Sequence, residues 1–271
     1  MTSVRSKDLN TFSYRAGRWQ YASVDVIAEQ AVTLTVNNQT WLTFMCTPGD
    51  LEAMGIGFLY NEEIIERVEE VASVHVCSTG DHIDIWLNHS VKKPEKWTRT
   101  SGCSGGRTSI AKNPVGAPGV MHTNGKLLPA GRIGDLMGQL GGAQDLYRKT
   151  GGVHTSALSD GEKLILVAED IGRHNTLDKL AGRCLLERIS LAKKILLTTG
   201  RISSEMIQKA GRMGATIVIS RTSPSTLSVQ MAEKLGITLI GYAKSERFIV
   251  YSHPERILII PICETIKHEA T

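Results

Sequence analysis

Residues 153–175 run Val153-His154-Thr155-Ser156-Ala157-Leu158-Ser159-Asp160-Gly161-Glu162-Lys163-Leu164-Ile165-Leu166-Val167-Ala168-Glu169-Asp170-Ile171-Gly172-Arg173-His174-Asn175. Two apolar runs, 153–158 and 163–169, flank Asp160-Gly161, a dipeptide suited to the tight turn of a β-hairpin. A helix follows from about Asn175, with Leu177, Leu180, Ala181, Cys184 and Leu185 recurring on one face, which makes Cys184 a core residue. Strands at 195–197, 216–219 and 237–240 then alternate with a helix at 203–212 and another that ends at Gly236, and a last strand lies at 248–251. Alternating strands and amphipathic helices imply parallel pairing, while the hairpin adds antiparallel neighbours. The expected fold is α/β, a mixed sheet with flanking helices over 128–271.

Upstream of this unit, residues 23–47 read as two strands around Asn37-Asn38, and Thr47, Pro48 and Asp50 as the start of a helix through Leu51, Met54, Phe58 and Leu59. A second strand pair, 74–76 and 83–87, surrounds Thr79-Gly80-Asp81 and places His75 and Cys77 in a half-buried sheet. These elements make a smaller N-terminal α+β region, 1–98. A charged, proline-containing connector at 91–96 leads to a cysteine-bearing loop and crossover, 99–127, whose stretch 113–127 is rich in Pro and Gly and reads as a crossover or flap. Ile133, Leu136, Met137 and Leu140 then stand at helical spacing, with a short second helix before Thr150-Gly151-Gly152.

The 271 residues carry a formal net charge of +4 and are 41% hydrophobic, ample for a core. The charge is spread along the chain without the concentrated basic patch that nucleic acid requires, so anionic small ligands are expected and nucleic acid is not. No run approaches a membrane span and residues 1–20 have no apolar core of a signal peptide, so the expectation is a cytoplasmic protein with no membrane partner. Cys46, Cys77, Cys103, Cys184 and Cys263 are scattered and form no Cys-x-x-Cys pair, a pattern of free thiols. No permanently bound metal is expected.

Chemistry-bearing residues gather where strands end. Gly172, Arg173 and His174 follow one strand, Gly200 and Arg201 the next, and Arg221 the one after, each at a helix start. Ligands of open α/β sheets bind beyond the carboxyl ends of strands, and free helix-start N–H groups beside a guanidinium suit a phosphate. No phosphate-binding P-loop, dinucleotide fingerprint or zinc-deaminase motif is present. His154 and His174 remain candidates for acid–base work or ligand contact. Cys103 lies in Thr100-Ser101-Gly102-Cys103-Ser104-Gly105-Gly106-Arg107, outside any periodic apolar segment and beside Arg107. Little side-chain bulk flanks the sulfur, and its loop suits a nucleophile, a redox sensor or a sulfur carrier alike.

The chain resembles the formate dehydrogenase accessory sulfurtransferase (FdhD) family. The motifs that carry the resemblance are Cys46-Thr47-Pro48-Gly49-Asp50-Leu51 with Gly57-Phe58-Leu59, Ser101-Gly102-Cys103, Thr150-Gly151-Gly152-Val153-His154, Glu169 to Asn175 with Asp178-Lys179, Thr199-Gly200-Arg201 with Ser204-Glu205-Met206, and Tyr251-Ser252-His253-Pro254-Glu255-Arg256. The resemblance implies a cytidine-deaminase-like fold for the C-terminal part. It also implies a sulfurtransferase that takes persulfide sulfur from a cysteine desulfurase and passes it to the molybdenum cofactor, as bis(molybdopterin guanine dinucleotide), a bound substrate destined for formate dehydrogenase. Cys103 would hold the persulfide, and the cofactor-binding segment falls on Tyr242, Ala243, Lys244, Ser245, Glu246 and Arg247. The family's second loop cysteine falls on Gly106, so Cys103 would act alone; a non-catalytic cofactor-binding chaperone is the alternative that this departure raises. A homodimer is also implied.

Overall fold

A computed structural model describes residues 4–95, 98–99, 107–108 and 127–258. The chain opens with a hairpin, β1 (Ser6–Arg15) and β2 (Arg18–Ile27), turning at Ala16 and Gly17 with φ of 48° and 80°. The sequence reading places its first strand only at residue 23 and misses this hairpin. Its signal is the alternation of Phe12 and Tyr14 before Ala16-Gly17 with Trp19 and Tyr21 after, but both faces stay open to solvent, so no buried stripe marks it.

The next hairpin, β3 (Gln30–Val36) and β4 (Gln39–Cys46), turns as expected at Asn37-Asn38, both left-handed. It leads to α1 (Leu51–Asn61) and then β5 (Val71–Val76) and β6 (His82–Leu87), in a four-stranded sheet of order β4-β3-β6-β5. Leu34, Phe44, Ile83 and Ile85 pack with Met54, Phe58 and Leu59 of α1 in one core. The helix start differs from the sequence reading: Asp50 occupies the N-cap with φ 50°, and Thr47 is not a cap. Thr47 is instead buried, its N–H donating to the Asp170 carboxylate at 3.1 Å and its hydroxyl accepting from the Ile171 N–H at 3.1 Å.

Two short strands, β7 (Thr98–Arg99) and β8 (Arg107–Thr108), pair antiparallel. Cys103 lies on the chain between them and outside the described residues, as do Cys263 and the expected crossover up to residue 126.

Then come β9 (Leu128–Pro129), α2 (Ala130–Gly142) and α3 (Asp145–Thr150), the last ended by Gly151 at φ 66°. The rest is β10 (His154–Ser159), β11 (Leu164–Asp170), α4 (Arg173–Leu186), β12 (Lys194–Thr198), α5 (Ser204–Arg212), β13 (Ala215–Ser220), α6 (Thr226–Leu235), β14 (Thr238–Lys244), β15 (Arg247–Ser252) and β16 (Ile257–Leu258). The main sheet has the order β11-β10-β12-β13-β14-β15; its β12-β13-β14 pairs are parallel and its other pairs antiparallel. Period-two alternation splits each strand between two cores. Leu196, Val218 and Leu239 face α4, α5 and α6, while Leu197, Ile219 and Ile240 face Ile133, Leu136 and Leu140 of α2. The mixed α/β architecture matches the sequence expectation.

α1 and α4 join the two sheets. A Cβ at Gly57 would overlap the carbonyl oxygen of Asp178, and one at Gly182 would overlap that of Ala53, so the helices meet backbone to backbone where both lack side chains.

Candidate functional site

The carboxyl ends of the parallel strands β12, β13 and β14 lie at one edge of the sheet, beside the amino end of β10, which runs antiparallel to β12. A hydrogen-bond ladder across the loops holds this edge. Thr199 N–H donates to the Thr155 carbonyl at 2.9 Å, Arg221 N–H to Thr198 at 3.1 Å, Ile202 N–H to Ser223 at 3.1 Å and Tyr242 N–H to Thr222 at 3.0 Å. The ladder fixes the three turns relative to one another.

A cavity of about 380 Å³ opens here, lined by Gln144, Tyr147, His154, Thr199 and Arg221, with Gly151 to Val153 along its rim. Gly200 stands close in, because a Cβ there would meet Arg173 Cβ at 3.2 Å and His154 Nδ1 at 3.4 Å. Burial holds the His154 imidazole below its ordinary value, and the charges of Arg173 and Arg201 push it the same way against the opposing Asp170 carboxylate. The site therefore combines a neutral imidazole with a positive field.

Gly200 and Arg221 lie in turns that precede α5, which begins at Ser204, and α6, which begins at Thr226, and the amides of these turns are bonded within the chain. Gly172 N–H donates to Asp170 Oδ1 at 2.7 Å, Gly200 N–H to the Thr198 hydroxyl at 3.1 Å and Thr222 N–H to the Ser220 hydroxyl at 3.0 Å. Short polar side chains two residues back satisfy each turn internally. Attraction for an anion thus rests on the guanidinium groups rather than on these amides.

His174 is nearly buried. Its Nε2 lies 3.3 Å from the Ser203 hydroxyl and 3.3 Å from Glu205 Oε2, and Ser203 donates to that same carboxylate at 2.8 Å. One ring nitrogen meets both partners, which is not the relay of a serine triad, where base and orienting acid use different nitrogens. Burial, partly opposed by Glu205, holds His174 below its ordinary value, and the His174 hydrogen bond holds Glu205 below its own.

The motif from Glu169 to Lys179 does mostly architectural work. Buried Glu169 accepts from the N–H groups of Leu146 at 2.7 Å and Tyr147 at 3.1 Å, and from the Thr155 hydroxyl at 3.2 Å, while Gln144 donates to that hydroxyl at 3.1 Å. It thereby seats α3, whose Tyr147 forms one wall of the cavity. Asp178 pairs with Lys209 at 2.7 Å and accepts from Asn61 at 2.7 Å. Within Tyr251-Ser252-His253-Pro254, Ser252 is likewise structural: it is buried, accepts from Leu239 N–H at 3.0 Å and donates to the Ile237 carbonyl at 2.8 Å.

Tyr242 to Arg247 form the β14–β15 turn at the same sheet edge. Tyr242, Lys244, Ser245, Glu246 and Arg247 are exposed and Ala243 is buried. From β10 to β14 there are three strand spacings, or about 14 Å, between this turn and His154. α2 touches both places: a Cβ at Gly134 would overlap the Ser245 carbonyl oxygen, and one at Gly141 would lie 3.5 Å from Arg221 Nη2. Gln144 and Tyr147 are lining residues that the sequence does not mark, since they sit at a junction between α2 and α3 where no periodicity singles them out.

Of the remaining cysteines, burial raises the Cys46 thiol to about 12 and the Cys184 thiol to about 11, as fits core residues. Cys77 donates to Asp81 at 2.9 Å in an exposed turn. No helix among the described residues is long and apolar enough to cross a membrane.

The model of the FdhD/NarQ family matches residues 27–258. The chain belongs to this family. It is 36% identical over 261 residues to the sulfur carrier protein FdhD of Bacillus subtilis, covering 95% of this chain and 98% of that one. It is 34% identical over 249 residues to the protein of the same name from Staphylococcus aureus, covering 90% and 94%. A crystal structure from Desulfotalea psychrophila, described as a formate dehydrogenase accessory protein, superposes with a TM-score of 0.77 at 30% identity over 94% of this chain and all of that one. The family match begins at the last residue of β2, so the first hairpin precedes it.

Proposed function

We propose that the protein is a sulfur carrier of formate dehydrogenase maturation, working through Cys103. The observation that carries this reading is the family match over residues 27–258, which spans the Cys103 loop and the whole sheet edge described above. The Cys103 thiolate attacks the outer sulfur of a persulfide on a cysteine desulfurase. The donor's S–S bond breaks, the donor cysteine leaves as thiolate, and Cys103 holds the new persulfide. The substrate is the molybdenum cofactor as bis(molybdopterin guanine dinucleotide), whose reduced metal supplies the two electrons that release the outer sulfur and return Cys103 to thiolate.

The cavity with Arg221, His154 and Thr199 suits a phosphate-bearing part of that substrate, and Lys244 and Arg247 at the β14–β15 turn suit another. The strand order, a β11-β10 hairpin whose β10 runs antiparallel to the parallel strands β12-β13-β14, with β15 antiparallel at the far edge, supports the cytidine-deaminase-like reading of this unit.

Intact-protein mass spectrometry after incubation with a cysteine desulfurase and cysteine tests the carrier step. The expected result is a reducible gain of about 32 Da, one sulfur, on the wild type and none on Cys103→Ala. Gly106, in place of a second loop cysteine, favours one other reading, a cofactor-binding chaperone without sulfur chemistry. On that reading Cys103→Ala still activates formate dehydrogenase; on ours it binds the cofactor and does not.

A further inference from the structure

We infer that the aromatic face of the β1–β2 hairpin is a docking surface for an extended, arginine-bearing segment of a partner protein. The cross-strand register puts Phe12 opposite Tyr21 and Tyr14 opposite Trp19, all four on one face near the turn. Phe12 and Tyr21 meet edge to face with centroids 5.4 Å apart, and Tyr14 and Trp19 lie 5.3 Å apart. These rings are nevertheless 63–71% exposed. The base of the same face is fixed to the body. There Ser6 stands opposite Ile27; Ile27 packs against Gly152, and Ser6 lines a cleft of about 880 Å³ with Asp145 and Lys149 of α3. From Ser6 the face runs out to Tyr14 over about 26 Å, at 3.3 Å per residue. A contiguous aromatic face held clear of the core marks an interaction site.

Charge and spacing select the occupant. The charged residues of this face are Asp8 and Asp25, which stand opposite each other between the rings and the base. The Ser6 hydroxyl donates to Asp25 at 3.1 Å and holds that carboxylate in place. The cations of the arm, Lys7, Arg15 and Arg18, stand on the other face, because side chains alternate along each strand. The ring face therefore joins two carboxylates to four aromatic rings. Both attract a cation, and a guanidinium also stacks flat on a ring. A second copy of this face does not complement it, since carboxylates would meet carboxylates, and an anionic surface is repelled by them. The two ring pairs are two residues apart along each strand, about 7 Å, the repeat at which an extended segment presents successive side chains on one side. Arginines at alternate positions of such a segment thus meet one ring pair each, and another further along reaches Asp8 and Asp25. Gly152, on which the arm rests, also borders the cavity of the candidate site, so the docked partner stands beside it.

Fluorescence polarisation of a labelled peptide of alternating Arg and Thr, titrated with the full chain, tests this. The wild type is expected to bind it, and Tyr14→Ser/Trp19→Ser to bind it roughly 10-fold more weakly at unchanged melting temperature. Asp8→Asn/Asp25→Asn is expected to bind more weakly and with less dependence on salt. Arg15→Ser/Arg18→Ser, on the opposite face of the same arm, is expected to bind at least as well as the wild type. No binding by the wild type, equal binding of a peptide of alternating Glu and Thr, or unchanged binding by Tyr14→Ser/Trp19→Ser would each overturn the assignment. So would a Tyr14→Ser/Trp19→Ser protein that keeps the peptide but loses a wild-type dimer or sedimentation with anionic vesicles, which would give the face to a second copy or to a lipid surface.

Discussion

Asp170 and Lys179 form an ion pair of 2.7 Å with neither side chain exposed to solvent. The pair is also the knot between the two sheets: Asp170 accepts from the N–H groups of Thr47 and Gly172 and from Asn175, while Lys179 donates to the carbonyls of Thr47 at 3.0 Å and Glu169 at 3.5 Å. Every lone pair and proton of the knot thus has a use, the condition under which a buried pair is tolerated.

Removing one partner strands the other charge in the core. Lys179→Met is expected to destabilise the protein by about 3–5 kcal/mol. Urea unfolding followed by tryptophan fluorescence checks it; a midpoint within error of the wild type would show that the knot is not a main support.

The helix crossing is equally unforgiving. Gly182→Ala places a methyl group against the Ala53 backbone, where no side chain can move aside, and is expected to cost about 3 kcal/mol or more. Gly138→Ala, in open space on α2, is the control and is expected to be neutral or slightly stabilising when both variants are unfolded in urea.

Acid should weaken the fold through its histidines. His154 and His174 are held below their ordinary value, so between the folded and unfolded values the unfolded chain binds more protons and stability falls with falling pH. The loss starts as pH drops through about 6.5, the ordinary imidazole value. Melting temperatures from about pH 8 to pH 5 should show this decline, and His154→Gln should flatten part of it.

Arg221 is expected to supply direct attraction for phosphate. Arg221→Met should weaken guanosine diphosphate binding roughly 10- to 100-fold, in line with about 1.5–3 kcal/mol for hydrogen bonds to a charged group, without lowering the melting temperature. Titration calorimetry at two salt concentrations checks it; unchanged affinity would place the phosphate elsewhere.

The C-terminal sheet was legible because its strands and helices keep their periods and because Asp160-Gly161, Gly151 and Gly236 punctuate them. The first hairpin was not, since its sides face solvent and burial patterning vanishes. At the site, the sequence marks Arg173, Gly200, Arg201 and Arg221 by their place after strands. It cannot show that Asp170, Thr198 and Ser220 already occupy the amides beside them, because those bonds are set by turn geometry. Nor does it mark Glu169 as the seat of α3, a contact made across the sheet between distant residues.

α2 rests on the β14–β15 turn at Gly134 and reaches Arg221 at Gly141. Seven residues of helix separate these points, two turns along the same side and about 10 Å at 1.5 Å per residue. The helix is therefore a gauge. A ligand gripped at both ends is measured against a rod that neither stretches nor bends appreciably, so a molecule too short to bridge it forfeits one grip entirely. On the proposed reading, the length of this helix sets the spacing between the two phosphate grips.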